Sequence, residues 1–137
     1  ETNSEVKEYG SGNKYTDNEL YMDGPEIFNF TSAVIPKFTL NLMEKNNLEM
    51  EDCNLFIFHQ ANQFMLDFLR KKIKAPKERF YIDLEDGGNT VSCTIPIALK
   101  RWSDAYSGEF PVKNITLVGF GVGLSWGGTV ISVDRKL

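Results

Sequence analysis

Three groups of residues in this chain have types and spacing suited to chemistry. The first is His59, the only histidine, which stands directly behind the wholly apolar run Leu55 to Phe58 and ahead of an amphipathic stretch. In open α/β sheets, the residue leaving the carboxyl end of a buried strand faces the crevice where ligands bind. An imidazole there can hydrogen-bond or move a proton near neutral pH. The second is Asn89, a carboxamide that follows Asp86-Gly87-Gly88, and the third is the turn Gly119-Phe120-Gly121-Val122-Gly123, rich in exposed backbone amides. Together they form a set able to hold negative charge developing on a carbonyl oxygen, although they include no convincing nucleophile. Each also has a plainer reading. His59 would be a half-buried ring bonded to a backbone carbonyl, Asn89 a helix N-cap, and Gly121 and Gly123 simple turn glycines. The glycines fail as a dinucleotide fingerprint, because a strand and not a helix follows them.

The elements that must position these groups follow from the apolar periodicity. Buried strands are expected at Asn54 to Phe58, Phe80 to Leu84 and Asn114 to Phe120, joined by helical crossovers. Crossovers make these strands parallel, so their carboxyl ends share one edge of the sheet. A helix starts at Gly24-Pro25-Glu26 and runs to about Asn47, with a kink expected at Pro36. A second carries Ala61, Phe64, Met65, Phe68, Leu69 and Ile73 at helical spacing. A third, capped by Asn89 and ended by Gly108, turns Ile95, Leu99, Trp102 and Tyr106 inward and holds Pro96 in its early turns. Trp126 to Val133 pairs with the strand before it as an antiparallel hairpin. Residues 1–20 read as a polar loop or arm and residues 21–137 as one domain, giving an α/β fold with a mixed sheet.

Composition excludes several classes. A net charge of -4 lacks the basic face that general nucleic-acid binding requires. No apolar run approaches the ~20 residues needed to cross a bilayer, and the polar start Glu1 to Lys7 is not a signal peptide, so a cytoplasmic protein is expected with no membrane partner. Cys53 and Cys93 have no metal-ligand spacing; both read as thiols, Cys93 as a packing residue, and no metal site is expected. A cysteine hydrolase built on Cys93, His59 and Asn89 is disfavoured, because helical spacing would put Asn89 and Cys93 on one helix face.

The string Phe58-His59-Gln60-Ala61-Asn62, then Gly88-Asn89-Thr90, then Gly119 to Gly127 (Gly-Phe-Gly-Val-Gly-Leu-Ser-Trp-Gly) resembles the carboxyl-terminal half of a 3-oxoacyl-acyl-carrier-protein synthase III, a thiolase-fold condensing enzyme. The resemblance covers the chain from about residue 20 onward. It implies that His59 and Asn89 are two members of a Cys-His-Asn site whose cysteine lies in the amino-terminal half, outside this chain. There the cysteine takes an acyl group from a coenzyme A thioester, and malonyl-acyl carrier protein loses carbon dioxide and attacks. His59 would be neutral and present an N–H. Gly121, Val122 and Gly123 would supply the oxyanion turn, with Val122 standing where many relatives have a third glycine. Gly24, Asn62 and Phe120 would lie near the pantetheine-linked substrate, and no separate cofactor is implied.

Lys71 and Lys72 match positions that dock the acidic carrier protein. On composition alone, the basic cluster from Arg70 to Arg79 reads first as a solvated helix end and only second as a docking patch. Two departures weaken ordinary carrier docking: Phe64 replaces an arginine and Asn29 a lysine. The resemblance further implies a half-domain that lacks its first, central strand, inactive alone and paired with its own amino-terminal half in a homodimer. The alternative function is a noncatalytic acyl-thioester or carrier-protein binding module.

Overall fold

The computed structural model describes residues 5–9, 12–19, 21–108 and 111–133. Within the expected arm, Lys7–Tyr9 (β1) and Asn13–Tyr15 (β2) pair as a small antiparallel hairpin separate from the main sheet. Other parts of the arm, residues 1–4, 10, 11 and 20, lie outside the described residues, as do residues 134–137 of the expected domain.

The first helix, α1, spans Gly24–Lys45. Asp23 caps it by accepting from the Glu26 amide, and Pro25 sits in the first turn, where a missing N–H costs nothing. The helix is continuous through Pro36, which is buried. The strand Leu55–Phe58 (β3) is buried at all four positions, which explains its unbroken apolar run: helices cover both faces. The helix α2, Gln63–Ile73, is capped by Asn62, whose side chain accepts from the Met65 amide, and ends at Lys74 in the left-handed region with φ 60°. The strand β4 is only Phe80–Tyr81, shorter than the expected Phe80 to Leu84.

The helix α3 spans Thr94–Ala105, preceded by a short 3-10 helix at Val91–Cys93. The hairpin closes the chain with β5, Asn114–Gly121, and β6, Ser125–Ser132.

The main sheet has the order β4-β3-β5-β6, with the first three strands parallel and β6 antiparallel to β5. α1 and α2 pack on one face around Phe56, Phe58, Phe80 and Val118. α3 packs on the other around Leu55, Ile57 and Ile115, with Ala98 and Trp102 turned inward. The mixed sheet with helices on both faces is as expected.

The expected gap inside the sheet is not there. β3 pairs directly with β5 from Leu55↔Ile115 to Phe58↔Val118, so no place remains for a strand between them. Among the described residues, the free edges are β4 and β6. The residues of β6 are exposed at every position but one. Helical periodicity also misplaced one residue: Phe64 is 70% exposed, while Leu66, absent from the expected stripe, is fully buried.

Because β4 is so short, a side chain takes over where its ladder with β3 stops. Gln60 is buried; its Nε2 donates to the Phe58 carbonyl at 2.7 Å and its Oε1 accepts from the Asp83 amide at 2.7 Å. Gln60→Ala orphans both backbone groups. We expect a loss of about 2–3 kcal/mol, read as a lower urea midpoint with unchanged slope; a midpoint within error of the parent would contradict the bridging role.

Candidate active site

The carboxyl edge of the parallel strands carries the site. His59 extends the β3–β5 ladder by one bond, its amide donating to the Val118 carbonyl at 2.8 Å, which fixes where its side chain leaves the sheet. The ring is held twice. Nδ1 lies 2.7 Å from the Thr94 hydroxyl at the start of α3, and the ring stands edge-on to Phe120, centroids 5.3 Å apart. His59 is therefore in contact with both neighbouring segments, the loop that leads into α3 and the end of β5. Nε2 has no protein partner among the described residues and is not among their buried unpartnered atoms, so it reaches solvent.

Asn89 does not cap α3, which begins five positions later. Its Oδ1 accepts instead from the Val91 amide at 2.9 Å, an Asx turn on an exposed loop. That turn accommodates Val91 at φ 56°, a conformation a β-branched residue rarely adopts. With Oδ1 engaged, the Nδ2 amine is the end of Asn89 left to serve a ligand. No hydrogen bond joins His59 to Asn89 among the described residues. Their connection runs through Thr94, whose hydroxyl oxygen also lies 3.1 Å from the Val91 carbonyl.

The loop is braced from below by Arg101, which donates to Asp83 at 2.9 Å. Hydrogen bonding and charge from Asp83 raise the Arg101 pKa further.

The glycine segment is split by the structure. Gly119, Phe120 and Gly121 belong to β5, and only Val122, Gly123 and Leu124 form the turn. Gly123 has φ 114°, which only glycine adopts without strain. A Cβ at Gly121 would meet nothing within 4 Å, so space stands open beside it. Phe120 is buried and serves the site by packing on the imidazole. Gly24 opens α1, also beside open space. The Asn62 carbonyl oxygen is committed to its cap. Lys71 and Lys72 are exposed on the last turn of α2, with Lys72 Nζ 5.5 Å from the Phe68 ring centre.

Cys53 is buried on the opposite edge, and burial raises its thiol pKa, so it is an inert packing residue. Cys93 is exposed in the 3-10 helix rather than packed, a correction to its expected role; Asn89, outside any helix, shares no helix face with it. No group of three or more metal-ligating side chains occurs among the described residues, and no helix there is long and apolar enough to cross a membrane.

Burial pushes the His59 pKa below its ordinary 6.5, so the ring is neutral at pH 7. The unfolded chain then binds more protons than the folded one below that value, so stability falls as pH drops through 6.5 toward the folded pKa and is untouched above it. His59→Gln should remove this part of the acid sensitivity, seen by comparing urea midpoints at about pH 7.5 and about pH 5.5. Equal losses in parent and variant would refute the assignment.

Thr94 and Gln60 were not legible as working residues. Thr94 lies 35 positions from His59, and a hydroxyl at a helix start carries no mark of its partner. Gln60 sits inside the quoted string, but its bond to Asp83 appears only when β3 and β4 are side by side.

The geometry has counterparts among known proteins. The family model described as 3-oxoacyl-[acyl-carrier-protein (ACP)] synthase III C terminal matches residues 43–133. The beta-ketoacyl-[acyl-carrier-protein] synthase III of Clostridium perfringens strain 13 is 37% identical over 128 residues, which is 91% of this chain and 38% of that protein. A crystal structure of a 3-oxoacyl-(acyl-carrier-protein) synthase III matches with a TM-score of 0.86 at 39% identity, over 96% of this chain and 39% of that one. The Thermus thermophilus beta-ketoacyl-[acyl carrier protein] synthase III gives 0.77 at 36% identity, over 92% and 39%. The chain thus spans 38% of the length of the Clostridium relative.

Proposed function

Since the chain belongs to the 3-oxoacyl-[acyl-carrier-protein] synthase III family, matching its carboxyl-terminal model, we propose that it is the carboxyl-terminal catalytic half of a decarboxylating condensing acyltransferase. The reaction joins an acyl group derived from acyl-CoA to malonyl-acyl carrier protein, in fatty acid or related biosynthesis. The observation that carries this reading is that the family match runs continuously across His59, Asn89 and the turn Val122 to Leu124.

The nucleophilic cysteine comes from the amino-terminal half of the full protein, and the 137-residue chain alone is inactive. That half and a second copy in a homodimer are its structural partners. The exposed edge of β6 is where further chain would pair.

The chemistry follows from the two donors. When the malonyl C–C bond breaks, carbon dioxide leaves and the electron pair moves onto the thioester as an enolate. The enolate carbon then attacks the acyl-cysteine carbonyl and expels the thiolate. His59 Nε2 and Asn89 Nδ2 would each donate a neutral N–H to the enolate oxygen, and the amides of the turn at Val122 and Gly123 would serve the second oxyanion. A neutral donor lowers the barrier without giving up its proton to the enolate.

Asn89→Asp replaces a donor with a carboxylate that repels the enolate. Decarboxylation of malonyl-acyl carrier protein by the full protein should fall by about 10²-fold or more, with cysteine acylation retained. Parent-like decarboxylation would remove Asn89 from the mechanism. Lys71 and Lys72, on the last turn of α2, would serve carrier docking through their charge. The reading as a noncatalytic thioester-binding module would be supported instead if the full protein bound acyl-CoA and carrier but released no carbon dioxide.

A further inference from the structure

The single hydrogen of the Thr94 hydroxyl faces two acceptor positions, His59 Nδ1 at 2.7 Å and the Val91 carbonyl at 3.1 Å. Its destination decides the tautomer of His59. If the hydrogen goes to Val91, Thr94 must accept from an Nδ1–H, and Nε2 is left with a lone pair toward solvent. If it goes to His59, Nδ1 accepts and the ring proton sits on Nε2. These two states present opposite faces to a substrate oxygen, one repelling it and one donating to it.

The distances separate them. Hydroxyl donors favour about 2.7–2.8 Å and rarely reach beyond about 3.0 Å. The 2.7 Å contact to Nδ1 suits either direction, but 3.1 Å to the Val91 carbonyl is long for a hydroxyl donor, so the state that sends the hydrogen to His59 makes the better hydroxyl bond. Val91 is 72% exposed, so water can serve its carbonyl, whereas Thr94 is only 3% exposed. The hydroxyl is also fixed in place, because Thr94 is the first residue of α3 and follows a segment folded by the Asn89 turn.

We propose that Thr94 is a positioning residue that donates its hydroxyl hydrogen to His59 Nδ1, so that the neutral ring carries its proton on Nε2, the nitrogen open to the substrate. This rests on the reading of His59 as an N–H donor to the enolate, and specifies what makes it one.

In the full protein labelled with ¹⁵N in its histidine rings, the His59 signals are those missing from His59→Gln. The expected spectrum at neutral pH shows Nε2 protonated and Nδ1 hydrogen-bonded as an acceptor, unchanged in Thr94→Ser. In Thr94→Val the Nδ1 signal should lose its hydrogen-bond shift. An Nδ1-protonated ring in the parent overturns the proposal, as does a Thr94→Val ring whose Nδ1 signal keeps the parent's shift. Should Thr94→Val fail to fold, the parent and Thr94→Ser spectra still decide. The spectra require no substrate. If they show Nε2–H while His59→Ala leaves decarboxylation intact, the enolate role falls and the tautomer assignment stands.

Discussion

On the proposed condensing role, His59→Ala in the full protein is expected to lower malonyl decarboxylation by about 10²–10³-fold while leaving acylation of the cysteine by acyl-CoA largely intact. The magnitude is that of removing one preorganised donor from a developing oxyanion, about 3–4 kcal/mol in the transition state. The split between half-reactions follows from the site. The imidazole is held by Thr94 at Nδ1 and edge-on by Phe120, and partial burial keeps it neutral. It is therefore a donor at neutral pH and a poor source of charge for activating a distant thiol. Measuring carbon dioxide release and acyl-enzyme formation separately checks both halves of the claim. Loss of acylation with normal decarboxylation would reverse the assignment. Loss of both in an unfolded protein is recognised by comparison with His59→Gln, which keeps a polar group of similar reach.

The second large effect concerns the hairpin that carries the turn. Gly128→Ala should destabilise the chain by about 2–3 kcal/mol, the upper part of the usual cost of overpacking. An added Cβ would lie 2.7 Å from the Leu117 carbonyl oxygen, 3.0 Å from Phe38 Cε1 and 3.1 Å from Leu42 Cδ2. The two side chains can rotate, but the carbonyl belongs to the β5–β6 ladder and cannot move without opening it. Part of the strain would pass along β6 toward Val122 and Gly123, so we also expect weakened condensation in the full protein. A urea midpoint equal to that of the parent would show that β6 shifts at no cost and would refute the packing argument. Gly127→Ala is the control, since a Cβ there meets nothing within 4 Å.

The phenylalanine at position 64 shows where a sequence pattern reaches its limit. Its spacing fits the apolar stripe of α2, yet it stands 70% exposed with its ring 5.5 Å from Phe28, because the stripe is rotated so that Leu66 faces the sheet. A helix's period is local, but the direction its stripe faces depends on the angle at which it meets its neighbours. Asn89 makes the same point at a loop. An asparagine before a helical pattern reads as a cap, but the positive φ of Val91 and a turn of 3-10 helix intervene before α3 begins.

The amino-acid sequence by itself determined the α/β class, the parallel strands with helices on both faces, and the return of the chain as a β hairpin. Apolar period, glycine and proline punctuation and crossover length are properties of short segments. It also determined the family, through the string around His59, the Gly88-Asn89-Thr90 step and the glycine-rich end of β5. Only the tertiary structure decided that β3 and β5 lie side by side without a gap, that Gln60 bridges β3 to Asp83, and that Thr94 holds the imidazole. Those contacts join residues far apart in the chain, and their partners are chosen by how the sheet and α3 pack, which no local spacing records.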